Sequence, residues 1–356
     1  MNNDRFENDC INMKKQQQVT IKDIALEVGM SVSSVSRALS DHPHISEETK
    51  LKVKNAAEKL GYRYNALAAA LRSSRSKTIG LIVPRISMSF QAAVITAIQN
   101  KLHTDGYNLM IFQSNESPEL EKTLVKLLMA TQVEGLIVST TLYTKDYSVF
   151  DKSAVGGVPV VFYDRVPIDK ACHKIVGDEF SGGYQVTKHL VEQGCKRIAH
   201  ISGPLSCSIY LQRLNGYKDA LNEFQIPYDE NLVFFHELNK ENTLQSCETL
   251  FKNEQVPDAI FACNDTAALA VLEFARVNGI SVPKDLKVSG YANDSRTEIS
   301  RPEITSVEQF PHLMGEGVAK LIMDLIHNQD NQRSFLSLTT PVELIKRTST
   351  FSELSS

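Results

Sequence analysis

Long apolar runs are missing from this chain, and so is any paired-cysteine spacing. No stretch approaches the roughly 20 apolar residues a membrane-spanning helix needs, and the opening MNNDRFENDC is too polar for a secretory signal. The expectation is a cytoplasmic protein with no membrane partner. Cys10, Cys172, Cys195, Cys207, Cys247 and Cys263 are scattered without a C-x-x-C pair, so free thiols in a reducing compartment are expected. Neither these six nor the nine histidines show metal-ligand spacing, and no metal or other cofactor is expected. The G-x-G-x-x-G, Walker, G-x-S-x-G and H-E-x-x-H patterns are all lacking. An enzyme would have to work through another motif, because SGPLSCS offers a phosphate only one glycine turn.

What is present is globular in character. A hydrophobic content of 42% and a charged content of 22% suit a folded soluble chain, and 356 residues allow two or three domains with real cores. The net charge of −4 hides an asymmetry. Lys14 to Lys77 carries twelve Lys/Arg against six Asp/Glu, whereas the chain from Thr78 onward carries 25 against 33. A basic head on an acidic body suits a phosphate-binding module joined to a different domain.

Within that head, TIKDIALEVGMSVSSVSRALS (Thr20–Ser40) reads as two short helices broken at Gly29. Thr20 is placed to cap the first by accepting from a backbone N–H, and Asp23 favours the same helix start. Ile21, Ile24, Ala25 and Val28 recur at helical spacing and form one apolar stripe. Gly29 suits the left-handed end of that helix, and Ser31 caps the next. Val35, Ala38 and Leu39 fall on the inner side of the second helix, with Val32, Ser33, Ser36 and Arg37 opposite. This outer face is small, polar and free of acidic residues. A helix entering the major groove needs such a face, although an ordinary helical hairpin shares the turn chemistry.

Residues 1–18 read as a mobile tail without periodicity. Ser46, Glu47 and Glu48 start a third helix, faced by Val53, Ala56, Ala57 and Leu60 and stopped by Gly61. Asn65 then caps a short helix, Ala66 to Arg72, whose Leu67 and Leu71 form an apolar edge on a connector that should be polar. A segment too short to be stable alone could fold when paired with a second copy on DNA, its leucine prying open a base step. Packing of these leucines on the next domain is the alternative. Ser73–Lys77 is a polar, basic linker.

From Thr78 the texture changes to alternating strands and helices. TIGLIVP, YNLMIFQ, VEGLIVST and VPVVFYD come first. HKIVGDE, KRIAHISG, LVFFHE, AIFACND and LKVSGYA follow. Apolar β runs alternating with helices imply parallel sheets covered on both faces, and this many strands imply two doubly wound lobes. Ligands of such folds bind beyond the C-terminal ends of the strands, in the cleft between lobes. Polar residues ending strands are the candidates: Asp164, Arg213, Asn264, Asp265 and Asn293. Any one alone is most simply a cap or turn residue; several converging on one cleft would be a ligand site.

The sequence resembles the LacI/GalR family of bacterial transcription regulators from about Val19 to Phe351. TIKDIALEVGMSVSSVSRALS is similar to its helix–turn–helix signature. ISEETKLKVKNAAEKLGYRYNALAAALR is similar to its third and hinge helices, and VPVVFYDR, GPLS with Arg213, and AIFACND are similar to its core motifs. The core motifs alone are shared with periplasmic sugar-binding proteins. The resemblance implies a small all-α helix–turn–helix domain (19–64) and a hinge helix with linker (65–77). After them comes an α/β two-lobed, periplasmic-binding-protein-like core (78–356). Its N-lobe would take about 78–176 plus 306–336, and its C-lobe about 177–305 plus 337–351. It further implies a homodimer on a near-palindromic operator, with a small-molecule effector, favoured as a carbohydrate by family frequency, setting DNA affinity. Repressor action is the expectation.

By position, the resemblance puts Val32, Ser33 and Arg37 at bases and Lys22 near the DNA. Thr20, Ser31, Ser36, Asn65 and Arg72 complete the expected DNA face, with Leu71 as minor-groove wedge. The implied effector residues are Met88, Phe90, Ser139, Asp164 and Cys207 in the first half of the core. Arg213, Leu238, Asn264, Asp265 and Asn293 follow. Three positions depart from the family pattern. Tyr64 replaces the usual proline before the hinge asparagine. Met88-Ser89-Phe90-Gln91 replaces an Asn-Pro-Phe-Phe-like stretch. Ala292 replaces the aspartate of the last pocket strand, with Asn293 and Asp294 beside it. Cys207 and Ile209 stand where purine-responsive members carry polar groups. No coiled-coil tail follows the last strand, so a dimer rather than a tetramer is expected. A solute-binding receptor without DNA function and an α/β enzyme are the competing readings.

The wedge reading makes a direct prediction. Leu71→Ala weakens specific DNA binding and leaves ligand binding unchanged, as read by operator and effector titrations of one preparation. Equal loss of both would mean that Leu71 packs against the core.

Overall fold

Thr20 opens the first helix, α1 (Ile21–Val28), with the expected capping box, shared with Asp23. Its hydroxyl and its backbone N–H reach the Asp23 carboxylate, each at 2.7 Å, which is the half of that box in which the aspartate reaches back. The computed structural model describes residues 19–62, 76–252, 254–328 and 334–351. The expected tail and the expected hinge helix, with Asn65, Leu71 and Arg72, lie outside the described residues. The chain divides into two compact units, one ending at Arg75 and the other beginning at Ser76.

In the first unit, Gly29 sits at φ +71°, which lets the Met30 N–H turn back to the Ala25 carbonyl at 3.0 Å and close α1. Ser31 Oγ accepts from the Ser34 N–H at 3.1 Å to begin α2 (Val32–Leu39). Ser46 Oγ accepts from the Thr49 N–H at 3.3 Å to begin α3 (Glu47–Lys59). Ile24, Val35, Ala38 and Val53 meet with no exposed surface. Lysines of α3 tie it to α1 and to the turn after α2. Lys52 Nζ donates to the Val28 carbonyl at 3.3 Å, satisfying an acceptor left open at the end of α1. Lys59 pairs with Glu27 at 2.9 Å, and Lys50, its stem buried, reaches Glu47 and Asp41.

The second unit contains two parallel sheets. The first lobe begins with β1 (Thr78–Val83), α4 (Ser89–Thr104), β2 (Asn108–Gln113), α5 (Pro118–Ala130), β3 (Gly135–Val138), β4 (Val160–Tyr163) and β5 (His173–Gly177). The second lobe runs through α6 (Glu179–Glu192), β6 (Ile198–Ser202), α7 (Ser208–Glu223), β7 (Val233–Phe235) and α8 (Lys240–Phe251). It continues with β8 (Ala259–Ala262), α9 (Asp265–Val277), β9 (Lys287–Ser289) and the single turn α10 (Arg296–Ile299). The chain then passes through β10 (Ser306–Glu308) and returns to the first lobe as α11 (Pro311–His327). It finishes with β11 (Ser337–Thr340) and β12 (Glu343–Ile345).

Strand order is β11-β5-β4-β3-β1-β2 in one sheet and β7-β6-β8-β9 in the other, with every pairing parallel. All the strands expected from apolar runs are there. Helix α4 begins three residues before the expected Ala92, because the Met88 carbonyl accepts from the Ala92 N–H at 2.9 Å.

The lobe boundary near the C-terminus needs correcting. Ser337–Thr340, expected in the C-lobe, pairs with Lys174–Gly177 and forms the edge of the N-lobe sheet. Its exposed Ser337, Leu338 and Thr339 give it no buried-strand pattern to read. β10 pairs antiparallel with β12, so two of the segments running between the lobes form one short ladder. In the C-lobe, α6 and α7 lie close enough that a Cβ on Gly183 would come within 2.3 Å of the Arg213 carbonyl oxygen. A Cβ on Gly216 would come within 2.1 Å of the Phe180 carbonyl oxygen, so only glycine permits this approach.

Among the described residues, no helix is long and apolar enough to cross a membrane, and the five described cysteines are free and buried.

A small core predicts a local failure. Ile24→Ala should cost about 2–5 kcal/mol, as much as a domain of this size has to spare. Calorimetry of the full chain should then show loss of the transition that belongs to the first unit and an unchanged transition for the second.

Candidate DNA-reading face and effector cleft

The outward side of α2 presents Val32, Ser33 and Arg37, all exposed, with Ser36 half-buried beside them. Ser31 shares its hydroxyl with Ser33 at 2.8 Å and Ser34 at 2.9 Å, so the first turn is held rigidly. Lys22 is exposed on α1, and Thr20 is exposed at its start. Because Val35 and Ala38 anchor the opposite side in the core, this face stands out from the unit with its guanidinium free of any acidic neighbour on the same helix. That is the arrangement a recognition helix needs to approach base edges.

In the second unit the C-terminal ends of both sets of strands border a cleft of about 420 Å³ between the lobes. Of the expected effector residues, Met88, Phe90, Leu238, Asn264 and Asp265 line it. The other five do not.

Ser139 is fully buried, 3.5 Å from the Asp164 carboxylate. Asp164 accepts from Gln91 Nε2 at 2.8 Å, while Tyr163 donates to Gln91 Oε1 at 2.6 Å. Burial pushes the Asp164 carboxyl up to about 6, and what surface it has opens on a separate groove with Lys174, Phe180 and Gln212. Cys207 is buried at the start of α7, its thiol pushed up to about 11 by burial. Arg213 is used inside the C-lobe, donating to Glu179 at 2.7 Å and to the Cys263 carbonyl at 2.6 Å, with its guanidinium 3.5 Å from the Tyr291 ring centre. Asn293 turns away to Glu308 and Arg347.

The residues that do border the cleft are partly committed too. Asn264 caps α9, its side chain accepting from the Ala267 N–H at 2.7 Å and donating to the Leu238 carbonyl at 3.2 Å. Asp265 accepts from the Asp294 N–H at 2.8 Å and from Ser306 Oγ at 2.7 Å, and burial pushes its carboxyl up to about 7. Charged residues missed by the sequence reading dominate the rest of the lining: Arg85, Glu116, Arg165, Glu237, Asp294 and Arg296.

Arg165 is only 3% exposed and donates to Glu116 at 2.8 Å. Arg85 of the N-lobe reaches across to Glu237 of the C-lobe, and Ser89 of the N-lobe donates to Asp294 at 2.8 Å. Arg296 clasps Asp294 at 2.8 and 2.9 Å, which brings that carboxyl down to about 2. Asp294, not Asn293, lines the cleft, and Ala292, at the position of the expected family aspartate, takes φ +102°. A usable signal existed for two of them: Arg85 and Arg165 each follow within two residues of a buried apolar run.

Comparison with known proteins gives a consistent picture. Residues 20–65 match the family described as bacterial regulatory proteins, lacI family, and residues 187–350 match the periplasmic binding protein-like domain. The HTH-type transcriptional repressor PurR of Vibrio atlanticus (strain LGP32) is 30% identical over 315 residues, covering 88% of this chain and 94% of that protein. This chain belongs to the lacI family. Catabolite control protein A of Priestia megaterium is 28% identical over 331 residues, covering 93% and 99%. The Lac repressor dimer, solved bound to operator and the anti-inducer ONPF, superposes with a TM-score of 0.84 at 26% identity, covering 94% of this chain and 100% of that one. Like these lacI-family relatives, the chain is a DNA-binding transcriptional repressor with a small-molecule effector domain, not an enzyme.

The raised carboxyls of this lacI-family core carry a pH signature. Asp265 binds its proton more tightly folded than unfolded, so its contribution is fullest below its ordinary value near 4 and is lost as pH rises to about 7. Asp265→Asn should therefore lose less stability than the native chain between roughly pH 4.5 and 7.5, by about 1–3 kcal/mol. Urea unfolding of the second unit at the two pH values reads the difference, and equal slopes would refute the assignment.

Proposed function

We propose that this repressor is a cytoplasmic homodimer that reads a near-palindromic operator through α2. Val32, Ser33 and Arg37 meet base edges, Lys22 meets phosphate, and the start of α1 and the turn at Ser31 lie against the backbone. The observation that carries this is the division of α2 into a buried side and an exposed, acid-free side. A two-fold protein matches a two-fold site, so each protomer would read one half.

The small molecule that sets operator affinity occupies the cleft between the lobes, against Met88, Phe90, Leu238, Asn264 and Asp265. We favour a carbohydrate or a derivative of one. The cleft supports this with a polar rim around Phe90, Tyr210 and Tyr291, which suits hydroxyl-rich rings better than a wholly apolar ligand. Mechanistically the ligand acts by population shift: it binds one lobe arrangement more tightly, and operator affinity follows that arrangement.

A salt series of operator binding tests the reading. Arg37→Ala should weaken specific binding by about 1–3 kcal/mol, up to roughly a hundredfold, and change non-specific binding far less. Affinity of the native chain should fall steeply and linearly on a log–log salt plot. Unchanged operator affinity in Arg37→Ala, together with a flat salt response, would overturn it in favour of a receptor that does not read DNA.

A further inference from the structure

The cleft side chains divide unevenly into spent acceptors and unspent donors. Glu116 accepts from Arg165 and from the Leu142 N–H at 2.9 Å. Asp265 and Asp294 are filled by Ser306, Ser89, Arg296 and backbone, as described above. Two of the three cleft guanidiniums, Arg165 and Arg85, are less fully engaged than that of Arg296. Arg165, buried to 97%, leaves its Nε without a hydrogen-bond partner. A guanidinium has five N–H donors in a fixed fork, and a buried donor left unmade is costly. Arg85, itself exposed, pairs closely with the half-buried Glu237 and only at 4.0 Å with Glu116.

These groups are contiguous. Arg165 touches Glu116, Arg85 Nε lies 4.0 Å from the same carboxylate, and Arg85 reaches Glu237. Glu237 is followed, after Leu238, by Asn239 and Lys240, which line the cleft; Asn239 caps and Lys240 begins α8, a helix of twelve residues. Its first backbone N–H groups and dipole add positive potential at that point.

We propose that the effector is an anionic small molecule, a sugar phosphate or a sugar acid. Its negative group is seated between Arg85, Arg165 and the first turn of α8, taking over the counter-charge that Glu237 supplies to Arg85. This rests on the effector-gated reading above and narrows its ligand class. Arg165 fixes the group through its unmet Nε–H, and Arg85, the more exposed of the two, moves from Glu237 to the ligand. Exposed ion pairs are weak, so the exchange needs little energy. A neutral sugar's hydroxyls could accept from the Nε–H but would bring no counter-charge to Arg85 once it left Glu237.

The test uses the full chain, with inorganic phosphate as probe against chloride at matched ionic strength, followed by calorimetry and thermal melting. Phosphate should stabilise the second unit saturably. Arg85→Gln should remove that saturation, and Glu237→Gln should strengthen phosphate binding about three- to tenfold. Glucose, glucose 6-phosphate and gluconate then separate the sources. A gain with the phosphate ester alone assigns a sugar phosphate, and a gain with the carboxylate alone assigns a sugar acid. Phosphate indistinguishable from chloride, or Glu237→Gln without a gain, would overturn the proposal. Operator binding measured on the same samples keeps the two readings apart. Intact operator binding without an anion response sinks only the anionic ligand, whereas loss of operator binding by the native chain sinks the regulator reading itself.

Discussion

Two full charges, Glu179 and Arg213, meet inside the C-lobe, each less than 5% exposed. Desolvating such a pair is expensive, and it stands only where every remaining donor and acceptor is met. Here the carboxylate also accepts from Gln309 Nε2 at 3.0 Å, and the guanidinium also donates to the Cys263 carbonyl while lying on the Tyr291 ring. The pair therefore fastens the start of α6 to α7, to the end of β8, to the loop after β9 and to the residue after β10. Removing one partner would leave an uncompensated buried charge, at a cost of about 3–5 kcal/mol. Because β10 lies in the ladder between the lobes, the same pair that holds the C-lobe together also fixes where the ladder begins.

That constraint decides what the cleft can offer a ligand. An arginine after the GPLS loop and an aspartate after VPVVFY look available in a linear reading, since both follow strand or loop ends. In the fold each is consumed by a neighbour: Arg213 by Glu179, and Asp164 by Gln91, itself held by Tyr163. The ligand surface passes to residues one step farther along the same turns. Arg165 follows Asp164, Asp294 follows Asn293, and Glu237 precedes Leu238. Parallel sheets impose this pattern, because side chains alternate and adjacent residues leaving a strand point to opposite sides.

The sequence was most legible where local rules act alone. The helix–turn–helix could be read because Ile24, Ala25, Val28, Val35 and Ala38 share a period, and Gly29 and Ser31 mark its turn. The strands could be read because each is an apolar run such as GLIV or AIFA. Details that depend on distant partners were not legible. β11 takes its place from β5, 163 residues earlier at Ser337↔Lys174, and its own exposed side chains say nothing of burial. Half of the expected effector residues missed the cleft for the same reason. Their chemical type was readable, but which hydrogen bonds claim them is set by residues up to 73 positions away, as with Gln91 and Asp164.

The bridges across the cleft limit how the repressor can be switched. Arg85–Glu237 joins partly exposed groups and is worth at most about 1 kcal/mol, and Ser89–Asp294 adds a hydrogen bond of similar net size. Together they bias the lobes by a factor of roughly ten to thirty. A shift from 1:99 to 99:1 needs about 5.5 kcal/mol of differential affinity. A ligand held by one lobe alone has the same contacts in either arrangement and shifts nothing. On the proposed reading, switching calls for a ligand that spans the lobes, with contacts on the N-lobe side at Phe90, Arg85 or Arg165 and on the C-lobe side at Asn264, Asp265 or the start of α8. Replacing the weak Arg85–Glu237 bridge by such a molecule would exchange a small bias for a large one. This is how a cleft latched by its own side chains can remain responsive to a ligand.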